Sequence, residues 1–175
     1  MDNYLSCREW VITNFENFAK GSQKIPYKIK NRKDAGEVGK FIDNFFKVPE
    51  EFQTENTGIN SDGIGYELKS KKVNPDKVNN VVQISCSQSR GPVNYMKQKT
   101  IEKMGHTLAI VKYHYNELEE LIEILSIEIW CDAIKDKLSE ALNRTQRHSN
   151  SKWPPNFMLS EGKLSDIYSK NLKII

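Results

Sequence analysis

The chain has 175 residues, of which 38% are hydrophobic and 28% charged, with a formal net charge of +3. That length suits one domain able to bury a real core, and the composition excludes a disordered or membrane-embedded polypeptide. No apolar run approaches a membrane span, and Met1-Asp2-Asn3 followed by Arg8-Glu9 lacks a signal-peptide pattern, so a cytoplasmic protein is expected.

Residues 4 to 19 are predicted to be helical. Leu5, Val11, Ile12, Phe15, Phe18 and Ala19 fall on one face at the helical period, and Gly21 ends the run. A loop holding Pro26 follows. A second helix is expected from Asp34 to Lys47, with Asp34 as N-cap, Glu37 as its capping-box partner, and an apolar stripe of Val38, Phe41, Ile42, Phe45 and Phe46. Pro49 stops it. The stretch from Thr54 to Gly65 is rich in Asn, Gly, Ser and Asp and reads as a loop or hairpin turn.

Tyr66 to Lys71 is predicted as a strand. Val81 to Ser87 is a second, with Val82, Ile84 and Cys86 on one face and Gln83, Ser85 and Ser87 on the other. Ser89-Arg90-Gly91-Pro92 is a turn, residues 93 to 104 are helical, and Thr107 to Tyr113 is a buried strand. Leu121 to Trp130 alternates as a strand, with helix an open alternative for its first half. Asp132 to Gln146 is an amphipathic helix with Ile134, Leu138, Ala141 and Leu142 inside. The tail holds Pro154-Pro155, a short strand near Phe157 to Leu159, and a last short segment. The order predicts an α/β fold with a mixed central sheet flanked by helices.

The charge is uneven. Lys20, Lys24, Lys28, Lys30, Arg32 and Lys33 have no acidic residue among them, and Lys69, Lys71, Lys72 and Lys77 form a second cluster. Such patches suit a polyanion, although a solvated basic face explains them as well. Cys7, Cys86 and Cys131 are odd in number and far apart, which suits reduced core thiols. His106, His114 and His148 have no triad or metal spacing, and Trp10, Trp130 and Trp153 are expected to pack.

The segment Asp62-Gly63-Ile64-Gly65-Tyr66-Glu67-Leu68-Lys69 carries the chemistry. In a strand Glu67 and Lys69 share a face, and a Gly-rich turn can return Asp62 beside Glu67. Two carboxylates and a lysine make a hard-oxygen site for Mg²⁺, with a cation beside it. An exposed strand face of alternating charge is the competing explanation.

These residues resemble the PD-(D/E)XK nuclease fold, and within it the PvuII-type restriction endonucleases. Tyr66-Glu67-Leu68-Lys69-Ser70 is similar to that type's catalytic strand, Asp34-Ala35-Gly36 through Gly39-Lys40-Phe41 to the start of its dimerisation helix, and Ser85 through Val93 to its base-reading segment. Thr107 to Tyr113 looks like its next core strand. In spacing, Asp62 is closer to Glu67 than the PvuII type has it; there the chain has Thr57, with Glu55 nearby. The shorter spacing is similar to MvaI-like and mismatch-repair nicking endonucleases, whose helical Gly-x-x-x-acid pattern is matched by Gly39 and Asp43. Asp43 otherwise reads as a solvated helix residue.

The resemblance implies a type II restriction enzyme that cuts double-stranded DNA with Mg²⁺ within a restriction-modification system. Asp62 and Glu67 would ligate the ion with the backbone carbonyl of Leu68, and Lys69 would position the water. Asp34, Lys71, Ser85, Ser87, Gln88 and Arg90 would contact DNA. One nuclease domain would divide into a helical dimerisation part (1–47) and a catalytic, DNA-reading part (54–175), acting as a twofold homodimer. The rivals are a monomeric nicking or repair nuclease, a non-catalytic DNA-binding module, and a basic protein-interaction domain.

Overall fold

The computed structural model describes residues 3–53, 65–85, 93–144 and 158–175. Its elements run in chain order as helix α1 (Asn3–Lys20), strand β1 (Lys24–Pro26), helix α2 (Glu37–Phe45), strand β2 (Tyr66–Lys72), strand β3 (Gln83–Ser85) and helix α3 (Val93–Met104). Strands β4 (Thr107–Asn116) and β5 (Leu121–Ala133), helix α4 (Lys135–Arg144), strand β6 (Met158–Ser160), helix α5 (Leu164–Ile167) and strand β7 (Tyr168–Lys173) complete them.

The main sheet has the order β1-β5-β4-β2, with β7 also paired to β5. Strand β2 runs parallel to β4, while β4–β5, β1–β5 and β5–β7 are antiparallel, so the sheet is mixed as expected. A parallel pair needs a crossover, and β2 reaches β4 through α3. The 13-residue β5 serves as backbone for the others: β1 pairs with its first residues and β7 with its last.

Each face of the sheet carries its own apolar core. On one, Val11 and Phe15 of α1 and Val38 and Ile42 of α2 pack on Tyr66, Leu68, Ala109, Val111, Ile127 and Ile129. Phe46, just past α2, stacks on Phe15 at 4.8 Å between ring centroids. On the other, Met104, Leu138, Leu142 and Ile167 cover Leu108, Ile110 and Trp130, together with Ile84 of β3 and Leu159 of β6. The alternation of β2 thus divides its residues between two environments. Tyr66 and Leu68 enter the first core, whereas Glu67 and Lys69 lie on the second face opposite Leu108 and Ile110.

Several expectations need correction. The 34–47 helix begins only at Glu37, with Gly36 as N-cap, and the Asp34–Glu37 capping box does not form. Asp34 Oδ1 instead accepts the Gly36 N–H at 2.9 Å, and its Oδ2 meets Lys40 Nζ at 2.8 Å. The Glu37 carboxylate is taken by Lys30 N–H, Asn31 N–H and the Tyr27 hydroxyl, each at 2.7–2.8 Å. These bonds fold the basic loop back on α2 and outcompete the cap. Strand β3 is not in the main sheet; it pairs with β6 in a separate two-stranded ribbon.

Helix α4 starts at Lys135 rather than Asp132, which has φ 57° at the end of β5. Ile134 is 45% exposed, while Leu138, Ala141 and Leu142 are inside as expected. The alternative of helix for the first half of 121–130 fails, since those residues pair with both β1 and β4. Strands β1 and β7 were not anticipated. Each lacks a run of inward apolar residues: β1 buries only Ile25, and β7 buries only Tyr168. Cys7 and Cys131 are free and buried, and burial pushes the Cys7 thiol up to about 11.

Candidate active site

Glu67 is 2% exposed and is one of the four polar or charged residues buried among the described residues, with Thr100, Thr107 and Lys112. A carboxylate so enclosed needs compensation. Lys69 Nζ supplies it at 2.8 Å from Oε1, since the two side chains share a strand face. A second ammonium comes from elsewhere: Lys103 Nζ lies 2.7 Å from Oε2. Both lysine side chains are themselves largely enclosed, at 16% and 12% exposure.

The path of the chain explains how Lys103 arrives there. Helix α3 buries Thr100 and Met104, which sets the face it turns to the sheet, and Lys103 occupies its last turn. Gly105 then releases the chain into β4. A Cβ at that position would stand 2.9 Å from the Ile101 carbonyl oxygen, so the glycine permits this tight exit. Because β4 lies directly beside β2, the end of α3 is brought to the start of β2. Thr107 N–H donates to the Gly65 carbonyl at 2.8 Å, and Gly65 itself takes the left-handed φ of 70°.

The backbone has a polarity that matters for Leu68. In a parallel ladder, alternate residues direct both N–H and C=O to the neighbour. The bonds Thr107 N–H to Gly65 O and Val73 N–H to Tyr113 O put residues 65, 67, 69, 71 and 73 into the ladder with β4. The carbonyl of Leu68 therefore faces away from β4.

The donor set suits a hard divalent cation in kind. Glu67 Oε2 is buried and, among the described residues, accepts no hydrogen bond of normal geometry, the contact with Lys103 being an ion pair only. A carboxylate oxygen in that state is the oxygen chemistry that Mg²⁺ takes. Among the described residues no group of three or more His, Cys, Asp or Glu side chains forms a cluster. Asp62 and its substitute Glu55 lie outside the described residues, as do Ser87, Gln88 and Arg90. Ser85 ends β3, and Lys71 follows Glu67 and Lys69 on the same alternation of β2.

The other face of β2 is held by α2. Asp43 accepts a hydrogen bond from the Ser70 hydroxyl at 2.8 Å, and burial, then Asp43, holds the Tyr113 phenol above its usual range. Asp43 is thus half-buried and engaged rather than solvated. Asp34 is half-buried, and Lys40 followed by the Gly36 N–H holds its carboxyl below the usual range. Lys103 was the residue that sequence reasoning missed. Only its place in the last turn of the β2–β4 crossover helix distinguishes it from Lys97 and Lys99.

No family model and no curated protein matches the chain. Among solved structures it is similar to one titled "Restriction endonuclease MvaI-cognate DNA substrate complex", with a TM-score of 0.51 at 13% identity over 100% of both chains. The chain has a restriction-endonuclease-like fold, and among the described residues no helix is long and apolar enough to cross a membrane.

Proposed function

We propose that this protein is a Mg²⁺-dependent endonuclease that hydrolyses phosphodiester bonds in double-stranded DNA at a short specific sequence, as a type II restriction enzyme does. The observation that carries the reading is the buried Glu67–Lys69 pair, 2.8 Å apart on one face of β2, in a fold shared with a restriction endonuclease solved with its DNA. An exposed strand of alternating charge would not bury its glutamate to 2%.

Glu67, Asp62 and the Leu68 carbonyl would hold the ion. The chemistry that Mg²⁺ supplies when bound is neutralisation of phosphate charge and a lowered pKa for the attacking water. Lys69 would orient that water and stabilise the charge developing on the phosphate. The buried surroundings keep its ammonium in place, because Leu108 and Ile110 exclude solvent from that face. Lys71, next on the alternation, and Asp34 would contact the DNA. Ser85, Ser87, Gln88 and Arg90 would read bases from the segment that leaves β3.

Cutting both strands of a palindrome requires two sites, so a twofold homodimer is part of the reading, with α1 and α2 as its contact. Phe45 on α2 is 47% exposed and fits such a contact. The test is incubation of phage DNA with the protein and Mg²⁺, with fragment ends sequenced and the mass in solution measured by light scattering. Defined ends from a dimer of twice 20.3 kDa are expected, and Glu67→Ala and Lys69→Ala should each remove cleavage while DNA binding persists. Nicking by a strict monomer would favour the repair-type rival. Tight binding without cleavage in Mg²⁺ or Mn²⁺ would favour a binding module, and wild-type cleavage by either variant would dismiss this site.

A further inference from the structure

We infer that Lys103 is a resident counter-ion of Glu67 that a divalent cation displaces, so that this lysine sets the metal affinity of the site. The inference rests on the metal role proposed for Glu67. Its basis is the contact of Lys103 Nζ with Oε2 at 2.7 Å, on the oxygen that Lys69 leaves uncovered. Oxygen ligands stand about 2.0–2.1 Å from Mg²⁺. An ion at that distance from Oε2 and an ammonium at 2.7 Å would occupy neighbouring lone-pair directions of one oxygen, two cations in contact inside a buried pocket. Mutual repulsion there is weakly screened, so one cation must retreat.

Lys103 is built to be the one that moves. It stands in the last turn of α3 on a four-carbon stem with rotatable bonds and covers the oxygen the ion would take, whereas Lys69 meets the other oxygen, Oε1. Without metal, Lys103 keeps an enclosed carboxylate compensated and holds its oxygen in position. With metal, its ammonium is released within reach of any polyanion lying across β2. Lys103 is accordingly a positioning residue whose effect passes through Glu67, and metal and DNA should each strengthen the binding of the other.

The experiment is calorimetric titration of Mn²⁺ into the DNA-free protein, where no turnover can occur, for wild type, Lys103→Met, Glu67→Gln and the double variant. Lys103→Met should bind Mn²⁺ at least tenfold more tightly than wild type, and the gain should vanish when Glu67→Gln is added. Lys103→Gln, which keeps a neutral donor for Oε2, should fall between. If the methionine variant does not fold in metal-free buffer, Mn²⁺ should restore its circular-dichroism signal; failure to restore it overturns displacement. Glu67-dependent binding that Lys103→Met leaves unchanged or weakens overturns the inference alone. Absence of Glu67-dependent binding in every variant overturns both the inference and the metal reading beneath it.

Discussion

Among the described residues Lys112 is the most deeply buried lysine, at 5% exposure, and its removal gives the sharpest stability forecast. Its ammonium donates to the Val78 carbonyl at 2.8 Å and the Asn80 carbonyl at 3.0 Å, and it pairs with Glu161 Oε2 at 3.1 Å. The same Glu161 oxygen accepts the Val82 N–H at 3.2 Å. Three donors therefore find three acceptors, and together they tie the segment between β2 and β3 to the end of β6. Lys112→Met would strand two carbonyls and leave an enclosed carboxylate without its cation, which should cost about 3–5 kcal/mol. For a chain of this length that lowers the melting temperature by about 6–20 °C. Glu161→Gln leaves the ammonium with both carbonyls and should cost less, about 1.5–3 kcal/mol. Urea unfolding of both single variants and the double variant closes a cycle, and the double should fall short of the sum by about 1–3 kcal/mol. Hydrogen exchange should locate the damage at Ile84 and Leu159 before Ile129. Single costs below about 1 kcal/mol, or strict additivity, would refute the idea that a buried network anchors the ribbon.

Three further expectations address the site and the basic loop. Asp62→Asn should remove cleavage and Glu55→Gln should not; the reverse result in a plasmid assay would make Glu55 the first acidic ligand. Gln88→Ala should relax discrimination at one base position at a cost of about 1–3 kcal/mol, and uniform weakening across a panel of single-base-substituted sites would remove Gln88 from the reading set. The two backbone N–H groups of Asn31 and Lys30, then the Tyr27 hydroxyl, hold the Glu37 carboxyl below its usual range. A depressed carboxyl contributes stability above its unfolded pKa and loses it as pH falls through the folded value, so Glu37→Gln should flatten the acid limb of a melting-temperature profile. Parallel profiles for the two proteins would contradict this.

Much of β2 was legible because a period of two is short and its residues are chemically distinct. Tyr66 to Lys71 already predicts a shared face for Glu67 and Lys69, and the apolar run 107–113 predicts a buried strand. The helix between them followed from the turn ending at Pro92 and the helical pattern of residues 93 to 104. The ribbon was not legible in the same way. Gln83 to Ser85 alternates correctly, but its partner lies 73 or more positions on, at Met158 to Ser160, and nothing local sets that pairing. Strand β7 escaped for a similar reason, since Ser169, Lys170 and Asn171 are polar and its place is fixed by pairing to Trp130 and Cys131. Lys103 was hidden because a lysine in a Lys-rich helix carries no mark of burial; only the closeness of α3 to β2 gives it a role.

The two unlike faces of β2 have a consequence for how the chain finds its native state. Shifting this strand by a single residue against β4 would press Glu67 and Lys69 in among Val38, Ile42 and Phe46, and would turn Tyr66 and Leu68 toward Lys103. Lys103 could then no longer reach the carboxylate, and the Ser70 hydroxyl would lose Asp43. The charged pair proposed to cut DNA thus also acts as an alignment key during assembly. A polypeptide that misthreads this strand loses the packing of both its faces together.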